Sequence, residues 1–238
     1  MSRSLKKQIL KNLLFLITIL VFSLTLRNLN AQKFVHPTDV VKKVKDNFNK
    51  LNSYQAEFNI ITERKNQKKY TKGTAYFKKG GKVNFSFTIP TNDVIISNGK
   101  KMWIYIKRLN AVAVQNLKNP DSDKGITSAF TDSGVITLFN RYHYSFDTVD
   151  QPILLNKTRY YKLNLKEKVA TGGFSEMKVY IDAETFFITK IEADAPGGKK
   201  VTLTLTNVEY NVELPNSLFQ FNIEDNMKVV ENALTTVQ

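Results

Sequence analysis

Hydrophobic positions repeat with two different periods along this chain. Over Thr38 to Leu51, Val40 or Val41, Val44, Phe48 and Leu51 recur at helical spacing, with lysines on the other faces. This is the stripe of an amphipathic helix. Thr38, following Pro37, is a suitable N-cap, and Asp39 lies in the first turn, where its charge favours the helix dipole. The helix should end near Asn52-Ser53.

From there the period drops to two. "YQAEFNI" begins a strand, and "GTAYFKKGGKVNFSFTIP" reads as a hairpin turning at Gly80-Gly81. Its second arm alternates, with Val83, Phe85, Phe87 and Ile89 on one face and Asn84, Ser86 and Thr88 on the other. "NDVIISNGKKMWIYI" follows as a second hairpin, with Asn98-Gly99 expected in a type I′ turn. Its flanks are apolar on both faces, so alternation assigns Trp103 to neither. "NAVAVQNL" continues the series. Later strands are "YYKLNLKEK", "EMKVYID", "FFITKIEADA", "KKVTLTLTNVEYNV" and "LFQFNI", with turn signals at Gly172-Gly173 and Gly197-Gly198. Short glycine-rich connections of this kind predict an antiparallel meander that curls strongly. In "VTLTLTNVEYNV" the large residues pass from odd positions (Val201, Leu203, Leu205) to even ones (Val208, Tyr210, Val212), which predicts a β-bulge near Asn207.

One long stretch, Asn119 to Pro152, breaks the pattern. Inside it "DSGVITLFNRY" places Val135, Ile136, Leu138 and Phe139 behind Asp132 and Ser133, both able N-caps, and reads as a short apolar helix on a long crossing. Connections of this length are usually functional or disordered, and the apolar content argues against disorder.

The first 31 residues stand apart. Arg3, Lys6, Lys7 and Lys11 precede an apolar run from Leu13 to Leu26, with Ala31 at its end. A basic region, an apolar region of this length and a terminal small residue describe a secretory signal peptide; the alternative is an uncleaved membrane anchor. The expected organisation is therefore a signal peptide over 1–31 and one domain over 32–238, placed in the periplasm. The chain has no cysteine, so it can form no disulfide and offers no lipoprotein processing site. Residues 1–31 hold five basic residues and no acid, so +9 of the formal +14 belongs to the rest. That surplus is dispersed lysine. In an exported protein it suits anionic membrane surfaces or acidic partners better than nucleic acid.

Catalytic constellations are scarce. The two histidines, His36 and His143, have no cysteine or carboxylate cluster at ligand spacing, so no metal or other cofactor is called for. His143, among the aromatics of "RYHYSF", reads as a packed residue rather than a base. "SNGKK" joins two strands, unlike a phosphate-binding loop, and no Gly-x-Ser-x-Gly elbow occurs. The chain reads as a protein without catalysis.

The order of these features resembles the periplasmic outer-membrane lipoprotein carrier (LolA) family over nearly all of the domain. The motifs that carry the resemblance are "LNSYQAEF", "GTAYFKKGGKVNFSF", "ISNGKKMWIY", "VYIDAETFFITKIE" and "LPNSLFQFNI". It implies a mainly β fold with a few α-helices, in which a strongly curved antiparallel sheet forms an unclosed β-barrel beneath a helical lid. It implies a monomeric chaperone that holds the acyl chains of lipoproteins in an apolar cavity. Its partners would be an inner-membrane lipoprotein-releasing ABC transporter and an outer-membrane acceptor. The implied cavity and lid residues are Phe85, Phe87, Ile89, Ile96, Trp103, Tyr105, Val135, Ile136, Leu138 and Phe139. The family's latch arginine falls on Lys79, which keeps the charge and loses the planar fork of donors. A lipid- or lipoprotein-binding sensor on the same fold, without transport, is the alternative.

Overall fold

The helical stripe forms α1 (Pro37–Lys50), which presents Val40, Val41, Val44 and Phe48 to the interior. Its cap is His36 rather than Thr38. Pro37 occupies the first helical position, where its missing N–H costs nothing, so the cap moves back by two residues. His36 Nδ1 accepts from Thr38 N at 3.3 Å, and the Asp39 carboxylate accepts from His36 N at 3.3 Å. The helix ends at Lys50, two residues before the expected stop.

The computed structural model describes residues 35–90, 92–117, 132–170 and 173–231. The signal-peptide segment and the Gly172 turn signal lie outside the described residues. No helix among the described residues is long and apolar enough to cross a membrane.

After α1 the chain builds β1 (Ser53–Arg64), β2 (Gln67–Lys78), β3 (Lys82–Ile89), β4 (Val94–Asn98), β5 (Lys101–Ile106) and β6 (Ala111–Asn116). The second helix, α2 (Asp132–Arg141), leads into β7 (Tyr142–Phe146), β8 (Ile153–Leu155) and β9 (Thr158–Glu167). Then come β10 (Glu176–Asp182), β11 (Ile188–Ala195), β12 (Lys199–Tyr210) and β13 (Lys228–Glu231). All belong to one 13-stranded curved sheet in the order β13-β6-β5-β4-β3-β2-β1-β12-β11-β10-β9-β7, with β8 also on β9. Its edges, β7 and β13, are not paired with each other, so the barrel stays open.

Turn chemistry explains the hairpins. Lys65-Asn66 and Asn156-Lys157 have positive φ at both residues, the requirement of a type I′ turn, without any glycine. The β4–β5 turn differs from the expected I′ geometry. Only Gly99 has positive φ (+88°), as at the first central position of a II′ turn. Asn98 remains in the strand, and its Oδ1 accepts from the backbone N–H of Lys100 (2.9 Å) and Lys101 (2.8 Å). The bulge falls where the phase slip put it. Gln55 pairs with Glu209 but Glu57 with Thr206, and Asn207 has φ +51°.

The meander breaks down in two places. The aromatic stretch after α2 is a strand, β7, not part of a loop. At the other end "LFQFNI" is no strand. It is a 3-10 turn (Asn216–Phe219) followed by an extended strap over the outer surface, held where Asn84 Nδ2 donates to Leu218 O at 2.7 Å. The strap leads to β13, which pairs parallel with β6.

The β2–β3 and β4–β5 turns lie against each other: a Cβ on Gly99 would meet the Gly80 carbonyl oxygen. Positive φ and this contact both disfavour a side chain there. Gly99→Ala should therefore lower stability by about 2–4 kcal/mol in urea unfolding. A loss below about 0.5 kcal/mol, the range of an ordinary surface change, would contradict the packing of the two turns.

Candidate functional site

Directly opposed residues on neighbouring strands share a face, so the register assigns each side chain to one surface of the sheet. One continuous apolar row crosses six strands: Ile60, Leu203, Ile191, Val179, Leu163 and Phe146. A second, Ala56-Ala75-Phe85-Ile95-Ile104, extends the same surface toward the other edge. This inner face carries both helices. Val40, Val44 and Phe48 of α1 and Val135, Leu138 and Phe139 of α2 join it in one buried cluster. Aromatic edges tighten the contact: Phe58 meets Phe85 and Phe87 at ring separations of 5.7 and 5.2 Å, and Phe139 meets Tyr144 at 5.8 Å.

The cluster carries no charge. The buried polar residues, among those described, are Ser53, Asn84, Ser97 and Gln115, none of them ionisable. Burial, reinforced by Asp182, pushes the Tyr210 hydroxyl up to about 12, and burial raises Tyr54 further still. Both phenols therefore stay neutral at physiological pH. An uncharged apolar surface under amphipathic covers can hold a hydrocarbon.

The implied site residues divide between the two faces. Phe85, Phe87, Val135, Leu138 and Phe139 come together on the inner face, and Ile136 is half-buried on α2. Ile96, Trp103 and Tyr105 do not join them. Ile96 opposes Trp103, and Trp103 opposes Val114, so these side chains face outward, where they form a separate cluster with Val112 and Phe221 beneath the strap. Ile89 reaches the end of β3 and is 44% exposed. The hairpin is apolar on both faces because each face packs: Ile95 against the inner cluster, and Ile96 and Trp103 beneath the C-terminal strap.

Lys79 lies at the β2–β3 turn beside the end of α1. Its Nζ donates to Asn49 O at 3.0 Å, and its backbone N–H donates to Asn52 O at 2.8 Å. The polar ties on α2 are at residues that sequence reasoning missed. Lys45 Nζ on α1 donates to Asn140 Oδ1 at 3.0 Å, and Lys168 Nζ donates to the Asn140 carbonyl at 2.8 Å. Nothing in the linear sequence pairs these positions.

The outer face of the β7 half is polar. A groove of about 890 Å³ lies there, lined by the cross-strand row His143, Lys166, Glu176, Asp194, Lys200 and Glu63. His143 is exposed in it, contrary to the expectation of a packed ring. The reason is alternation: Tyr142, Tyr144 and Phe146 take the inner positions of β7. Beside the groove, Lys162 at 2.8 Å holds the Asp147 carboxyl below its ordinary value, and Asp147 in turn raises Lys162. Burial resists charge on Glu192, but Lys190 at 2.6 Å, with Tyr180 and Lys162, keeps its carboxyl low. These pairs solvate the outer surface with fixed charges, and a hydrocarbon would find no partner there. Among the described residues, no three His, Asp or Glu side chains converge as a metal ion requires.

An open, curved antiparallel sheet with one apolar face closed by amphipathic helices defines a binding protein of the half-barrel type. Similarity to known proteins places it more closely. A model of the outer membrane lipoprotein carrier protein LolA family matches residues 49–222, and the chain belongs to that family. An outer-membrane lipoprotein carrier protein of Legionella pneumophila (strain Lens) is 27% identical over 221 residues, covering 92% of this chain and 99% of that one. A protein of the same description from Methylococcus capsulatus is 22% identical, over 80% and 86% of the two chains. Among solved structures, an uncharacterized conserved protein of Thermus thermophilus shares the fold, with a TM-score of 0.55 at 12% identity, over 82% of this chain and 98% of that one.

Asn140 ties α2 to α1 through its side chain and to the segment after β9 through its backbone carbonyl, both through lysine ammonium groups at the surface, where solvent weakens such bonds. Asn140→Ala should cost the whole protein no more than about 1 kcal/mol while speeding amide exchange in α2 severalfold. The variant removes the Lys45 bond and leaves the Lys168 bond to the backbone carbonyl, so unchanged exchange in α2 would show that the Lys45–Asn140 bond does not hold the helix.

Proposed function

We propose that this protein is a periplasmic carrier of acylated proteins, taking lipoproteins released from the inner membrane and delivering them to the outer one. The observation that carries this reading is the inner face itself, an uncharged apolar surface spanning the sheet and closed by two amphipathic helices. Family membership supports it. Keeping acyl chains in water costs about 0.8 kcal/mol per CH₂, so a carrier needs a surface of this breadth and dryness. It must also release its load, and a cover of separate helices can be displaced without cutting any bond.

In this reading residues 1–31 direct export and are removed, an inner-membrane ABC transporter supplies the cargo, and an outer-membrane receptor or the membrane itself accepts it. The protein is a binder rather than an enzyme. Phe85, Phe87, Leu138 and Phe139 contact the acyl chains once the helices part. Lys79, by holding the β2–β3 turn to the end of α1, restrains that opening and acts as the latch.

The test is transfer of a triacylated lipopeptide from donor to acceptor vesicles by the purified domain. Transfer should rise in proportion to protein and fall at least tenfold with Leu138→Asp, provided the variant remains folded by circular dichroism. Lys79→Leu should retain capture and slow delivery. A folded wild-type protein with no affinity for the lipopeptide would overturn the carrier reading, and unchanged delivery by Lys79→Leu would remove the latch.

A further inference from the structure

We propose that the end of the molecule formed by the β2–β3 and β4–β5 turns is a docking surface for anionic lipid bilayers. Three separate segments bring cations to it: Lys50 at the end of α1, Lys78, Lys79 and Lys82 around the first turn, and Lys100 and Lys101 after the second. The arrangement is built rather than incidental. The Gly80–Gly99 approach presses the two turns together, Ser97 Oγ donates to Gly81 O at 3.0 Å, and Lys79 Nζ reaches Asn49 O at 3.0 Å on α1. Lys78 and Lys82 are directly opposed across the β2–β3 hairpin, a like-charge pairing that works against sheet stability. Their ammonium groups are drawn toward the strap, to Leu214 O at 2.7 Å and Asn216 Oδ1 at 3.1 Å, while Lys50, Lys79, Lys100 and Lys101 are exposed. Among the described residues, the nearby acids are Glu213, next to Leu214, and Asp46, one turn before Lys50.

The other end of β2 also carries cations, Arg64, Lys65, Lys68, Lys69 and Lys72, but two acids stand among them. Lys68 pairs with Glu63 at 3.5 Å, and Lys200 stands opposite Asp194. Among the described residues, Lys50, Lys78, Lys79, Lys82, Lys100 and Lys101 are in none of the ion pairs. A lipid surface fits it better than a folded acidic partner does. Protein interfaces centre on buried aromatic or aliphatic anchors. Among the described residues, the exposed ones between these lysines are Asn49, Asn52, Gly80 and Asn116, and the exposed large hydrophobic side chains lie elsewhere. Point charges spread over this end match a diffuse layer of anionic headgroups. This inference does not depend on the carrier reading, since it concerns a surface away from the apolar face and is tested without cargo.

The experiment is co-flotation of the purified domain with phosphatidylcholine vesicles, with and without phosphatidylglycerol, at low and high salt. The protein should float with the anionic vesicles at low salt, not with the neutral ones, and should dissociate as salt is raised. Lys100→Glu with Lys101→Glu should weaken vesicle binding by at least about 30-fold. Lys69→Glu with Lys157→Glu, an equal change in net charge at exposed sites elsewhere, should weaken it far less. Equal losses in the two variants would show that net charge alone governs binding and overturn the site. So would binding to neutral vesicles, or affinity for an acidic polypeptide such as polyglutamate with none for vesicles.

Discussion

The apolar row from Ile60 to Phe146 has to be kept out of water, and most of the architecture follows from that constraint. Each large aliphatic or aromatic side chain left exposed on such a surface forfeits about 1.5–3 kcal/mol, and the row crosses six strands. A sheet this curved does not close its own inner face. Two helices do so instead, and they are held differently. α1 inserts Val40, Val41, Val44 and Phe48, each no more than 3% exposed. α2 adds Val135, Leu138 and Phe139, with polar ties that converge on Asn140. The first helix is anchored by its whole apolar stripe. The second combines a shorter apolar contact with surface hydrogen bonds, the better arrangement for a cover that is to move.

The opposite surface of the sheet is treated in two ways. Across β3 to β6 it is apolar, with Ile96, Trp103, Val112 and Val114 beneath Phe221 and the strap. Across β7 to β12 it is polar, with ion pairs such as Asp147–Lys162 fixed on it. One face therefore serves stability in one half and solvation in the other, while the inner face is apolar along its two long rows, with the Arg141–Glu167 pair at its β7 edge. The proposed function rests on that asymmetry, since the long apolar rows of the inner face offer a hydrocarbon more surface than the outer one does.

Much of this was legible in residue order. Period-two runs predicted the strands β1 to β6 and β9 to β12, and the odd-to-even slip in "VTLTLTNVEYNV" located the bulge at Asn207. The resemblance, carried by "ISNGKKMWIY" and its companions, implied the unclosed barrel. Other features had no linear signal. Lysine at positive φ in the Lys65-Asn66 and Asn156-Lys157 turns carries no glycine to announce it, and His36 became the cap only because Pro37 takes the first helical position. The face of Trp103 could not be read because Met102 and Ile104 are equally apolar; only the cross-strand register settles it. The strap had the composition of a strand, and it lacks strand pairing because Asn84, in the middle of β3, takes its Leu218 carbonyl. β7 was readable in principle, since Tyr142, Tyr144 and Phe146 alternate with His143 and Ser145, but a short aromatic strand beside a helix is easily absorbed into a loop.

The central claim is that the inner face, not the outer one, receives the acyl chain. It is tested most directly by site-specific photocrosslinking, with a benzophenone side chain at position 87 or 103 and a radiolabelled triacylated lipopeptide. Crosslinks should form from position 87, beside Phe58 and Phe85 under the helices, and not from position 103 beneath the strap. Labelling from position 103 with none from 87 would contradict the account and place the acyl chain on the outer surface.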